Sequence, residues 1–99
     1  MFNYTITPNE DKTMIKHTWE SNGYSLSIVT RENKDNRIMV SNPMDAPSIY
    51  VDPFKEDKTV FVNWSALGNR GPAEAREYAE KIVQVSEVAE GFQQIIDAM

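Results

Sequence analysis

Hydrophobic and polar residues alternate with a period of two through the first two thirds of the chain. Phe2, Tyr4 and Ile6 alternate with Asn3, Thr5 and Thr7, the pattern of a half-buried strand whose successive side chains point to opposite faces. Pro8-Asn9-Glu10-Asp11 closes that segment. Ile15, His17 and Trp19 then alternate with Met14, Lys16 and Thr18, and Ser21-Asn22-Gly23 follows. Asn-Gly accepts the positive φ angles of a two-residue hairpin turn. Tyr24, Leu26 and Ile28 share a face of the return strand. The polar run 31–36 predicts a second hairpin loop, after which Ile38 and Val40 continue the meander. Pro43 and Pro47 keep residues 41–47 out of a central strand. Residues 48–51 read as a short strand ended by Asp52-Pro53, and Val60, Val62 and Trp64 as the last one. Connections this short favour antiparallel neighbours.

The period changes at residue 72. Pro72 suits the first position of a helix, where its missing N–H costs nothing. Glu74 and Glu77 lie near the positive end of the helix dipole, and Glu77 and Lys81 have the favourable i,i+4 order. Apolar residues recur at Ala75, Tyr78, Ile82, Val85, Ala89, Phe92, Ile96 and Met99, alternately three and four apart, with Ala79, Val83, Val88 and Ile95 widening the stripe. Gly91 is its weak point, at about 1 kcal/mol against Ala. The expectation is an α+β fold in a single domain, 1–99: about four to six short strands in a mostly antiparallel meander over 1–70, packed against one long C-terminal helix over 71–99.

An unbroken helix over 72–99 would be about 42 Å long, whereas a six- or seven-residue strand spans about 20–23 Å. The sheet then covers about half of the apolar stripe. A bend at Gly91, a loop or another chain must bury the rest, because large apolar patches are rarely left open. The far end, Phe92, Ile96 and Met99, is expected to form a homodimer interface through the helix.

Composition narrows the class. Hydrophobic residues make up 40% and charged residues 25%, as in an ordinary globular chain. No apolar run approaches the ~20 residues of a membrane-spanning helix, and the first residues lack the basic and apolar regions of a signal peptide. With no cysteine, the expected setting is the reducing cytoplasm. Net charge is −5, of which residues 71–99 carry −4. That balance disfavours nucleic acid as a partner, and the one group that would support it is Lys12, Lys16, Arg31, Lys34 and Arg37 gathered on one face.

Candidate chemistry is sparse. The one histidine, His17, lies between Ile15 and Trp19 without a cysteine or a serine motif to pair with, and reads as structural. Asp45, Asp52, Glu56 and Asp57 fall in proline-bearing loops, but their spacing matches no calcium loop. No catalytic residue, metal site or cofactor is expected. The strand–loop–helix junction over 63–72 offers more. Glycine-containing loops entering a helix N-terminus bind anions through backbone N–H groups, and Arg70 would add a fork of donors; Ser65, Asn69 and Arg70 are the candidate anion or partner residues there, against the alternative of a structural turn in which Ser65 or Asn69 caps a backbone group. Phe54, after Pro53 in a charged loop, is the expected exposed aromatic anchor for a protein partner.

Residues 60–89 contain V-F-V-N-W-S-A-L-G, a short loop and P-A-E-A-R-E-Y-A-E-K-I. This segment, about a third of the chain, resembles small uncharacterised proteins carried by phages and prophages. The resemblance implies an accessory factor that binds host or phage proteins and carries over no catalytic residue. The expected function is therefore a small non-enzymatic protein-binding module of unknown partner. A nucleic-acid-binding accessory protein or a virion or assembly component is the alternative, with an enzyme last.

One prediction follows from the ligand inventory. With no cysteine and one histidine, folding should need no metal. Thermal unfolding is expected to be unchanged by a strong chelator, and a drop of more than a few degrees in Tm would refute this.

Overall fold

A computed structural model describes residues 2–32, 34–44, 46–52, 58–63 and 71–99. Six strands precede one helix: β1 (Asn3–Pro8), β2 (Met14–Ser21), β3 (Tyr24–Arg31), β4 (Lys34–Ser41), β5 (Ser48–Val51), β6 (Val60–Asn63) and α1 (Pro72–Asp97). The α+β class and the antiparallel meander are as expected. The strands divide into a four-stranded sheet, β1-β2-β3-β4, and a separate two-stranded sheet, β5-β6.

Turn chemistry sets the register. Asn22 and Gly23 take φ of 53° and 83°, so that Ser21 faces Tyr24 directly across a two-residue turn. Gly23 is required there, because a side chain at that φ is strained. The second hairpin is tighter than the polar run 31–36 predicts. Arg31 pairs with Lys34, and a register shift between Val29 and Arg31 takes up the odd residue. Polarity misled here because β4 is an edge strand, where charged side chains are accommodated. After β4, the Asn42 side chain accepts from the Ile49 N–H at 2.8 Å and donates to the Ile49 carbonyl at 3.1 Å. It thereby imitates a strand partner and launches β5. The Tyr24 phenol donates to the Pro47 carbonyl across the same connection. Burial, and then the neighbouring Tyr78 phenol, pushes Tyr24 above its ordinary pKa of 10.0.

Pairing places Tyr24, Leu26, Ile28, Ile38 and Val40 on one face of the four-stranded sheet. That face meets Ile49 and Val51 of β5 and Val85, Val88, Ala89, Phe92 and Ile96 of α1 in one core. The helix runs unbroken through Gly91. Its 26 residues span about 39 Å, against about 27 Å for the eight-residue strands.

The expected covering of the helix is reversed. Phe92 is 0% and Ile96 6% exposed. They lie in the chain's own core and present no surface to a second copy; of the three residues expected at a homodimer interface, only Met99 is exposed. The overhanging part is the N-terminal half, where Ala75 and Val83 are exposed and Tyr78 and Ile82 half-buried. Two contacts fix this register. Gln93 accepts from the Val60 N–H at 2.8 Å, tying β6 to the last turns of the helix. Phe2 stacks on Phe92 with ring centroids 5.4 Å apart. Gly91 permits that stacking, since a Cβ there would collide with the Phe2 ring.

Two outcomes are expected in chemical denaturation. Phe92→Ala should remove about 3–5 kcal/mol, and Tyr78→Ala, on the overhang, clearly less. Gly91→Ala should destabilise the native chain but stabilise a Phe2→Ala background by up to about 1 kcal/mol, once the ring is gone and helix propensity alone acts. Equal effects in both backgrounds would show that Phe2 does not constrain position 91.

Candidate functional site

The second layer covers less of the sheet than the sheet offers. On the inner face Tyr24, Leu26 and Ile28 of β3 and Ile38 of β4 are buried, whereas every residue of β1 is exposed. Tyr4 pairs with Trp19 and Ile6 with His17, and these in turn face Leu26 and Ile28 on β3. All share the face that carries the core, because directly paired residues of antiparallel strands lie on the same side. A graded surface results: Leu26 fully buried, Trp19 and His17 half-buried, Tyr4 51% and Ile6 53% exposed.

The three rings form one cluster. Tyr4 and Trp19 have centroids 5.1 Å apart at 39°, Tyr4 and His17 6.0 Å at 19°, and His17 and Trp19 6.1 Å at 20°. These are within the range in which offset aromatic pairs attract. The Tyr4 phenol lies 2.6 Å from His17 Nδ1. With a neutral imidazole the phenol donates, and the ring proton then sits on Nε2. That bond holds Tyr4 over the strand pair, so the exposed surface is already ordered. The hydrogen-bond partner of His17 is thus a phenol, not a carboxylate of the kind that primes a general base.

The edge itself matters as much as the rings. β1 ends the sheet order, so among the described residues one side of its backbone has no neighbouring strand. Its sequence, NYTITP, holds no charge. Exposed edges are ordinarily guarded by charged residues, proline or bulges. The opposite edge, β4, follows that rule with Lys34 and Arg37 and a register shift. β1 has only Pro8, at its last position.

The sequence-derived candidates fare differently. Ser65, Asn69, Arg70 and Phe54 lie outside the described residues, as do Trp64, Asp45, Glu56 and Asp57. The helix that the 63–72 junction enters is described. Its N-cap is Gly71, with extended backbone and no side-chain cap, followed by Pro72 and by Glu74 in the first turn. Among the described residues no cluster of three or more His, Asp or Glu side chains is placed to hold a metal ion. Comparison with protein-family models, with curated proteins and with solved structures gives no match to this chain.

Sequence reasoning read Tyr4 and Ile6 as the buried side of a half-buried strand and assigned them no role. A signal was present: the first strand of a meander is an edge, and this one is neutral with two large apolar residues.

Proposed function

We propose that this chain is a non-enzymatic binding module that takes up an extended segment of a partner protein as an added strand on β1. The observation that carries the reading is the uncharged β1 edge, with Tyr4 and Ile6 half exposed beside it. Strand addition draws affinity from main-chain hydrogen bonds and specificity from alternate side chains. β1 supplies an open edge for the first, and the Tyr4–Ile6–His17–Trp19 surface receives alternate apolar side chains for the second. Tyr and Trp suit such a surface because they bring large area with few rotatable bonds. The accessory role implied by the resemblance to phage-borne proteins accords with it.

A random-peptide display selection supplies the probe. Selected peptides should read as extended segments with alternating apolar residues. Their binding should slow amide hydrogen exchange over residues 3–8. Ile6→Lys, which restores a charged guard, should weaken binding at least tenfold, the scale of burying one aliphatic side chain. It should leave stability within about 0.5 kcal/mol, since the site is exposed. Ligands that protect residues 72–84 instead, or that bind the variant unchanged, would refute the reading.

A further inference from the structure

In an antiparallel ladder, successive residues of a strand turn their backbone groups alternately to one side and the other, so the register decides which groups of β1 face β2 and which face out. Two observations give the same assignment. The two-residue turn at Asn22-Gly23 makes Ser21 and Tyr24 a hydrogen-bonded pair, and the alternation then directs Glu20, Thr18 and Lys16 of β2 toward Asn3, Thr5 and Thr7 of β1. At the far end of the β1–β2 hairpin the Asn9 N–H donates to the Met14 carbonyl at 3.0 Å, which continues the same odd-numbered set. The N–H and C=O groups of Tyr4 and Ile6 therefore point away from β2, along the edge. Pro8 belongs to the outward set as well, where the β1–β2 ladder does not need the N–H it lacks.

We infer that, when no partner strand is bound, this edge is filled by β1 of a second copy of the chain, antiparallel, about a two-fold axis through Thr5. The inference rests on the same open edge as the proposed strand addition and names its occupant in the free protein. With Thr5 opposite Thr5 of the second copy, Tyr4 of each copy lies opposite Ile6 of the other, and Asn3 opposite Thr7. Both Tyr4–Ile6 pairs are of the hydrogen-bonded kind, because these are the residues whose backbone groups face out, and each pair exchanges two N–H···O=C bonds. Directly paired residues share a face, so each Tyr4 ring meets an Ile6 side chain on the inner side, an aromatic–β-branched pair. The two Thr5 side chains meet on the outer side at the closer, non-hydrogen-bonded spacing. The inner rows then run His17–Ile6–Tyr4–Trp19 across the axis, and the two aromatic clusters become one surface.

Other registers fit worse. A slip of one residue sets the outward groups against residues already bonded to β2. A slip of two residues one way opposes Tyr4 to Tyr4 and carries Ile6 past the first residue of the strand. The same slip the other way opposes Tyr4 to Pro8, which has no N–H to return. Charge permits the pairing, since β1 carries none. The outer rows that join run Lys16–Thr7–Asn3–Glu20, the first two from one copy and the last two from the other, so their ends differ in sign and stand about 14 Å apart. Growth stops at two copies because the joined sheet ends on β4 at both sides, with Lys34, Arg37 and a register shift as guards. A six-residue edge buries less than about 1,200 Å², the range of weak interfaces, so the dimer forms at micromolar concentration and gives way to a tighter-binding strand.

Sedimentation velocity tests this without any ligand: between about 1 µM and about 500 µM the chain should pass reversibly from monomer to dimer. Amide exchange at the upper concentration should slow at Tyr4 and Ile6, whereas Thr5 and Thr7, already bonded to β2, should change little. The chain has no cysteine, so single cysteines report the register. Thr5→Cys brings two Cα atoms within about 4.5 Å and should form an intermolecular disulfide under mild oxidation. Asn3→Cys and Thr7→Cys leave theirs about 14 Å apart and should crosslink at least tenfold less. Thr5→Lys and Thr5→Glu should each weaken dimerisation about tenfold, and an equimolar mixture of the two should restore it. All these variants lie on an exposed strand and should melt close to the native chain. A monomer at every concentration, equal crosslinking at the three positions, or a mixture no more dimeric than its components would each overturn the inference. Such a monomer that still bound display-selected peptides on residues 3–8 would leave the strand-addition reading standing, whereas a dimer joined at position 5 that no peptide displaced would support the self-pairing and count against that reading.

Discussion

The stacking of Phe2 on Phe92, over a glycine that leaves room for it, decides where the second layer of this protein lies. A 26-residue helix with an apolar stripe along its whole length has many registers available on a sheet of eight-residue strands. Hydrophobic burial alone does not choose among them, because it is proportional to area and indifferent to direction. Choice needs a shape that fits in one place. Gly91 is the one position of α1 without a side chain, and the Phe2 ring occupies that gap. The Gln93 side chain adds direction, since its amide oxygen satisfies the N–H of Val60 on β6. Together these contacts pin the last three turns of α1 and leave the first three projecting.

The exposed surfaces follow from that placement. Among the described residues, one helix and one pair of four-residue strands form a layer too narrow for four strands, and anchoring them over β3 and β4 leaves β1, which begins just after Phe2, beyond cover. A residue such as Ile6 is then inner-facing by parity and solvent-facing by position. This is how an alternating strand, which a two-layer fold would ordinarily consume as core, becomes a surface. The aromatic cluster of Tyr4, His17 and Trp19 softens the boundary, because Tyr and His bring a polar end to an apolar face and here satisfy each other.

Local rules read the elements of this chain well and their assembly badly. Asn22-Gly23 announced its turn because few residue pairs tolerate two positive φ values, and Pro72 announced a helix start because proline is ruled out of most other helical positions. The stripe from Val85 to Ile96 was legible from spacing alone. The end of the helix that the sheet would bury was not. The repeat is equally regular at both ends, and the deciding contact joins residues 2 and 92, a pairing no local pattern encodes. Gly91, read alone, signals weakness or a bend, and its meaning depends on a ring from the other end of the chain. The bases of the outer face were partly legible for the opposite reason. Alternation assigns Lys16 and Arg37 to the polar side of their strands, and pairing then sets them about Val29, but the shift that aligns Arg31 with Lys34 cannot be counted from the sequence.

The contrast between the two edges of the sheet is what separates a binding reading from a merely structural one. A fold under pressure only to stay soluble has the same reason to protect both edges, since either can pair with another chain. Here β4 carries Lys34 and Arg37 and is bent by a register shift, so the chemistry of protection is present in this sequence and is used. β1, equally long-lived as an edge, lacks charge along all six residues and exposes two apolar side chains in the one orientation that continues the core outward. Placing a lysine at position 5 or 7, on the outer face, would have guarded the edge without disturbing a single inner contact, because those side chains point away from the helix. Threonines stand there instead, residues that favour strands and leave the edge open to pairing. Neutrality at those positions is therefore not imposed by the core, and an edge left unguarded where guarding it would have been easy is what the proposed strand addition requires.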